Sequence, residues 1–230
     1  MYIIHLQTIQ SLLDDILHPR LSPQAITYCR TGTAPGEPLD YPGFNRLIAM
    51  ASRHARRHPL NLSDDEKLHI SRNMPGWDLS QWNLLELLRV RLIIAQQHLA
   101  EESFADVLIK AFQFADEGEA CAFYKAIPLL PAPERFLWHM KEACRSNMRS
   151  IVWAAGCDNP FPVTYFDDIA WRQLVMKALF IEIPLVHIYH LEHRLSTTLA
   201  EMANDYIAER TSAGRSIPTD IKLLLGDAAC

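Results

Sequence analysis

The stretch from Ala143 to Phe180, ACRSNMRSIVWAAGCDNPFPVTYFDDIAWRQLVMKALF, decides the fold, because two segments of helical periodicity meet in it across one stiff corner. On the incoming side Leu137, Met140, Cys144, Met148, Ile151, Val152 and Ala155 recur at roughly helical intervals. On the outgoing side Trp171, Leu174, Val175, Ala178 and Leu179 do the same, so each segment can bury one face. Between them Gly156 suits a left-handed cap, Asp158 and Asn159 suit bonds to nearby backbone, and Pro160 and Pro162 each restrict φ. A rigid corner is expected, with Arg145 and Asn147 before it, Asp158 and Asn159 within it and Lys177 after it.

Outward from the corner the same grammar repeats. Ile3 to Leu17 reads as an amphipathic helix ended by His18-Pro19, and Ser22-Pro23 caps a second helix reaching about Arg30. Thr31 to Gly43, rich in Pro, Gly and Thr, is expected to be a solvated connection. Phe44 to His58 reads as a helix whose basic end, Arg53 to His58, complements a helix C-terminus. Ser63 with Asp64, Asp65 and Glu66 opens another helix, which stops before Pro75-Gly76. Asp78 or Ser80 then caps Gln81 to Gln97, a segment apolar around most of its circumference and so expected at the centre of the molecule. Its exceptions Asn83, Glu86 and Arg89 recur every three residues, which puts Glu86 within reach of Arg89; if buried, both need partners or a ligand. Glu101 to Ala115 and Glu119 to Leu130 follow, Glu134 opens the helix leading into the corner, and Leu195 to Ala213 ends at Gly214. Pro218 to Leu225 packs as a last turn or two before a loose tail. The expected fold is all-α, a layered or solenoid-like array of antiparallel helices, HEAT- or TPR-like without a clear repeat signature, forming one domain over residues 1–230.

Composition narrows the function. Of 230 residues 49% are hydrophobic and 21% charged, and only 8 are glycine, which suits a soluble helical domain better than a turn-rich sheet enzyme. A formal net charge of −5 argues against a nucleic-acid binder. The first residues lack a basic leader and no apolar run is long enough to span a bilayer, so the expected location is cytoplasmic. Five cysteines without a CxxC pair point to reduced, buried thiols. Walker A, GxSxG, GxGxxG and HExxH signatures are missing, and the Asp-Asp pairs are not followed by the third acid of a magnesium-diphosphate motif, so no cofactor or metal is expected. His187, His190 and His193 form HxxHxxH, whose first two members would share a helical face, and His54 and His58 stand four apart; a surface histidine cluster outweighs a metal site at both.

Arg145-x-Asn147, the Asp158-Asn159-Pro160-Phe161-Pro162 turn, the Tyr165-Phe166 pair and the run Gln173 to Phe180 resemble, in that order, the EboA family, proteins of bacterial clusters implicated in metabolite traffic. The resemblance is clearest over residues 145–214, with support from 82–95. It implies a non-enzymatic helical accessory protein for traffic of a secondary metabolite or its prenylated precursor, one that binds the small molecule or scaffolds the enzymes of its cluster. The partners it implies are a small apolar or prenylated metabolite and other proteins of the cluster, including a membrane-bound prenyltransferase. The family-like positions Arg145, Asn147, Asp158, Asn159 and Lys177 become ligand-binding candidates, and Glu86 and Arg89 join them from the residue pattern. Arg145 and Lys177 suit an anionic group and the asparagines both donate and accept, while holding the corner's backbone together is the competing role. Two other readings stand beside this one. An enzyme acting on a related metabolite would use the cluster near Arg145, Asn147 and Lys177, and a pure interaction scaffold would offer a broad groove instead of a cavity.

Overall fold

The computed structural model describes residues 6–33 and 38–225. Among these residues there are twelve α-helices and seven short 3-10 turns, with no strand and one isolated antiparallel bridge between Pro59 and Asn83. The chain gathers into two compact units, Met1–Phe136 and Leu137–Cys230.

The first unit holds α1 (Leu6–Leu17), α2 (Pro23–Gly32), α3 (Tyr41–Met50), α4 (Asp64–Asn73), α5 (Leu84–Ile93), α6 (Glu102–Phe112) and α7 (Glu117–Ala126). Five of these helices, α2, α3, α4, α5 and α7, start where a side chain accepts from a free backbone N–H group. Ser22 accepts from Ala25 with Pro23 at the first helical position, and Ser63 with Glu66 and Asp116 with Glu119 each close a capping box. α5 is the hub: every residue in it except Glu86 is buried, and it packs against α7, α1, α3 and α2. An all-round apolar helix is stable only when enclosed in this way. The two arginines carried inside are paired, Arg91 with Asp14 at 2.8 and 2.9 Å and Arg89 with Glu119 at 3.2 Å. At the edge of the unit Arg20 grips Glu66 with two bonds, at 2.7 and 2.8 Å, and that grip holds the Glu66 carboxyl down at about 2.

Several boundaries differ from expectation, each for a local reason. The connection expected over Thr31 to Gly43 is shorter, because Thr31 and Gly32 continue α2 and Asp40 caps α3 by accepting from Gly43 at 2.8 Å. Residues 34–37 of that connection lie outside the described residues, as do Ile3 to His5 and the tail with Cys230. The helix expected to reach His58 stops at Met50 with one 3-10 turn, Ala51–Arg53. Beyond it the chain extends, and the Arg56 and His58 carbonyls accept from Leu85 and Leu84. The basic run is therefore no helix terminus, and His54 and His58 lose their helical register; His54 stacks on Tyr28 with ring centroids 3.9 Å apart. The α5 cap is Asn83 in a box with Glu86, while Asp78 accepts from the Ser80 N–H in a local turn.

The second unit holds α8 (Leu137–Ala143), α9 (Arg149–Gly156), α10 (Phe161–Tyr165), α11 (Asp168–Phe180) and α12 (Thr197–Ser212). The single incoming helix of the sequence reading is two. The Ser146 hydroxyl accepts the Met148 N–H at 3.1 Å, a local bond that competes with the helical ladder, and Met148 turns outward at 45% exposure. On α11 the predicted face holds, with Trp171, Leu174, Val175, Ala178 and Leu179 all buried. Ser196 caps α12, and the chain reverses at Gly214 with φ +64°. The last turn is a 3-10 helix, Thr219–Leu224, with Ile221 and Leu224 buried. The four cysteines within the described residues, Cys29, Cys121, Cys144 and Cys157, are all buried.

Candidate functional site

The corner is built differently from its expected form. Gly156 is the last residue of α9, and the left-handed position belongs to Asp158, with φ +55°. What requires glycine at 156 is proximity: a Cβ there would stand 2.4 Å from Leu174 Cδ1 of α11 and 3.4 Å from Cys144 Sγ. Asp158 is almost enclosed. Its Oδ2 accepts from Trp153 Nε1 at 2.7 Å, its Oδ1 lies 2.8 Å from His187 Nδ1, and its N–H donates to the His187 carbonyl at 2.8 Å. Asn159, 3% exposed, donates to the Cys157 carbonyl at 2.8 Å and accepts from the Phe161 N–H at 3.0 Å. These bonds tie the turn to itself and to the segment around His187.

Arg145, Asn147 and Lys177 come together elsewhere, on an outer face. Lys177 Nζ donates to Asn147 Oδ1 at 2.6 Å, and Arg145 bonds Gln173 Oε1 at 3.3 and 3.2 Å while pairing with Glu142. Gln173 and Lys177 are one turn apart on α11, so they meet the α8–α9 turn as a pair. Both cations already have polar partners here, Arg145 the Glu142 carboxylate and Lys177 the Asn147 amide oxygen. Glu86 and Arg89 do not pair with each other as expected. Glu86 bonds Lys125 at 2.7 Å and the Asn83 N–H at 3.0 Å, whereas Arg89 takes Glu119 and the Ile48 carbonyl. Both partners of the ion pairs sit on α7, a tertiary neighbour that spacing along α5 does not reveal. One Arg89 nitrogen, Nη1, has no hydrogen-bond partner and lies 4.0 Å from the Asp116 carboxylate.

A cleft that the sequence reading missed lies in the second unit. It measures roughly 350 Å³ and is walled on one side by Leu179, Ile183, Pro184, Ile217 and Pro218 and on the other by polar residues, Arg210 and Asp220 with Glu182, Ser216 and Thr219. Arg210 donates to the Ser216 carbonyl at 2.8 Å and Asp220 accepts from the Leu185 N–H at 2.7 Å, which fixes both side chains against the walls. Pro184 and Pro218 were its visible signals. A second cleft of roughly 250 Å³ in the first unit is lined by Phe44, Phe104, Val107 and His98 among others. The histidine motif also changes its meaning. Residues 185–194 form two short 3-10 turns rather than a helix, so His187 and His190 share no face; His187 goes to Asp158, and His190 meets His193 instead.

The fold defines an all-α protein whose described helices include none long and apolar enough to cross a membrane. The model of one family, described as metabolite traffic protein EboA, matches residues 9–226, nearly the whole chain and far more than the stretch that first resembled it. The chain belongs to the EboA family. No curated protein and no solved structure matches it.

Proposed function

We propose that this protein is a non-enzymatic, cytoplasmic accessory of metabolite traffic that holds a small apolar or prenylated product of secondary metabolism in the cleft beside Leu179 and Ile217. The observation that supports it is the cleft itself. Its size falls within the roughly 300–1,000 Å³ of small-molecule sites, and it sets an apolar side of Leu179, Ile183, Pro184, Ile217 and Pro218 against a polar side that includes Arg210 and Asp220, a lining suited to a ligand with both apolar and polar parts. The outer cluster serves another purpose in this reading. Lys177 and Leu179 are two residues apart on α11 and point to different sides of it, so one small ligand does not use both. Arg145, Asn147 and Lys177 then form a docking face for an acidic surface on another protein of the cluster, such as its membrane-bound prenyltransferase.

Native mass spectrometry of the protein from its own host, with and without the cluster's metabolite extract, tests this directly. The expected result is a small-molecule adduct that survives Lys177→Ala and is lost or weakened in Ile217→Trp, which narrows the cleft. A clean mass under both conditions, with partner capture lost in Lys177→Ala, would leave the scaffold role and remove the carrier role. A second reading has one observation in its favour. A carboxylate that orients a histidine ring, as Asp158 does for His187 at 2.8 Å, is the support a general base needs. Time-dependent change of the bound molecule that stops in His187→Gln would make the protein an enzyme.

A further inference from the structure

We propose that His190, Glu192 and His193 form a binding site for a divalent transition metal. Their ligand atoms make a small triangle: His190 Nδ1 to His193 Nδ1 is 2.8 Å, His193 Nδ1 to Glu192 Oε1 is 2.8 Å, and His190 Nδ1 to Glu192 Oε1 is 3.4 Å. With metal–ligand bonds of about 2.1 Å, ligands at right angles stand about 3.0 Å apart and tetrahedral ones about 3.4 Å apart. The triangle therefore has the dimensions of one face of a metal's coordination shell. Two imidazoles and a carboxylate are donors that suit zinc, iron, nickel or copper, and three protein ligands leave further positions open to water or to an oxygen of a bound molecule.

The surrounding structure holds this face ready. His190 is left-handed, with φ +55° and ψ +35°, a conformation that costs a non-glycine residue and persists only when neighbours impose it. Here Ile188 and Leu191 are buried on either side of it. Arg194 then pins the far end, donating to the Phe166 carbonyl and to Asp168, both at 2.9 Å, with its guanidinium 4.7 Å from the Trp171 ring centre. Between those anchors the His193 N–H donates to the His190 carbonyl at 3.1 Å, which brings the two rings to the same side. Two neutral imidazole nitrogens this close share at most one proton, and the carboxylate adds only lone pairs, so the centre of the triangle is a place for a cation. The three side chains are between 37% and 68% exposed, so an ion enters directly from solvent.

The test uses the full chain without an affinity tag, titrated with Zn²⁺ by calorimetry and with Co²⁺ by its visible absorption. The expected result is one equivalent bound, with affinity reduced at least tenfold by His193→Ala and by Glu192→Gln, and circular dichroism unchanged. His190→Asn, which tolerates the left-handed backbone, separates loss of the ligand from strain in the turn. Failure to bind either ion, or unchanged binding by the combined variant His190→Asn, Glu192→Gln, His193→Ala, would overturn the site. In the first case the triangle is an ion pair of one protonated histidine with Glu192, and in the second the metal belongs to other histidines.

Discussion

At the scale of single residues, Gly156 and Asp158 divide what the sequence assigns to Gly156 alone. Gly156 lets α11 approach α9, and Asp158 takes the left-handed turn. Gly156→Ala should favour the helix by up to about 1 kcal/mol yet force Leu174 out of its packed position, at about 1–3 kcal/mol, so a net loss is expected. Leu174→Ala alone should cost about 2–5 kcal/mol, and the double variant should lose less than the sum, because the new methyl fills part of the space vacated. Urea unfolding of the four proteins measures that coupling; strict additivity would mean the two side chains do not compete. The sequence made the corner's unusual chemistry legible, since Gly, Asp, Asn and Pro in close succession have few other uses. It could not say which residue turns left-handed, because Gly and Asp both tolerate that backbone. The choice is made by Trp153 and by His187, the latter 29 residues further on.

At the scale of elements, α5 shows why a helix can be read correctly while its partners are not. Its apolar circumference identified it as a buried, central element, and it is the hub of the first unit. The charges on it were matched to one another along the helix, but their partners Lys125 and Glu119 come from α7. Spacing within a segment constrains only contacts within that segment. Arg89→Leu should therefore destabilise the fold by about 3–5 kcal/mol, since Glu119 is left buried without its counter-charge. Arg89→Leu with Glu119→Gln should recover much of that loss, because glutamine still closes the capping box with Asp116 and carries no charge. Equal instability of the single and double variants, read by chemical denaturation, would show that packing around Arg89 rather than charge sets the cost.

At the scale of the molecule, helical periodicity and the scarcity of glycine made the all-α class legible. The cleft near Ile217 was not, because its walls come from the end of α11, the end of α12 and the residues after each, which only folding brings together. The thiols give a test that samples both units. Cys29, Cys121, Cys144 and Cys157 are all buried; burial pushes the Cys144 thiol up to about 12 and raises those of Cys29 and Cys157 as well. Ellman's reagent at pH 8 should accordingly find at most one reactive thiol per native chain and all five after denaturation. Rapid reaction of more than one would show that a unit opens at low cost.

The enclosure of α5 also governs when the first unit can exist at all. Its neighbours lie on both sides of it in sequence, from Asp14 in α1 to Lys125 in α7. When α5 has just been synthesised, the α7 partners of its Arg89 and Glu86, Glu119 and Lys125, do not yet exist. The first unit can therefore complete the surroundings of α5 only after residue 126 has been added, so its core closes late in synthesis.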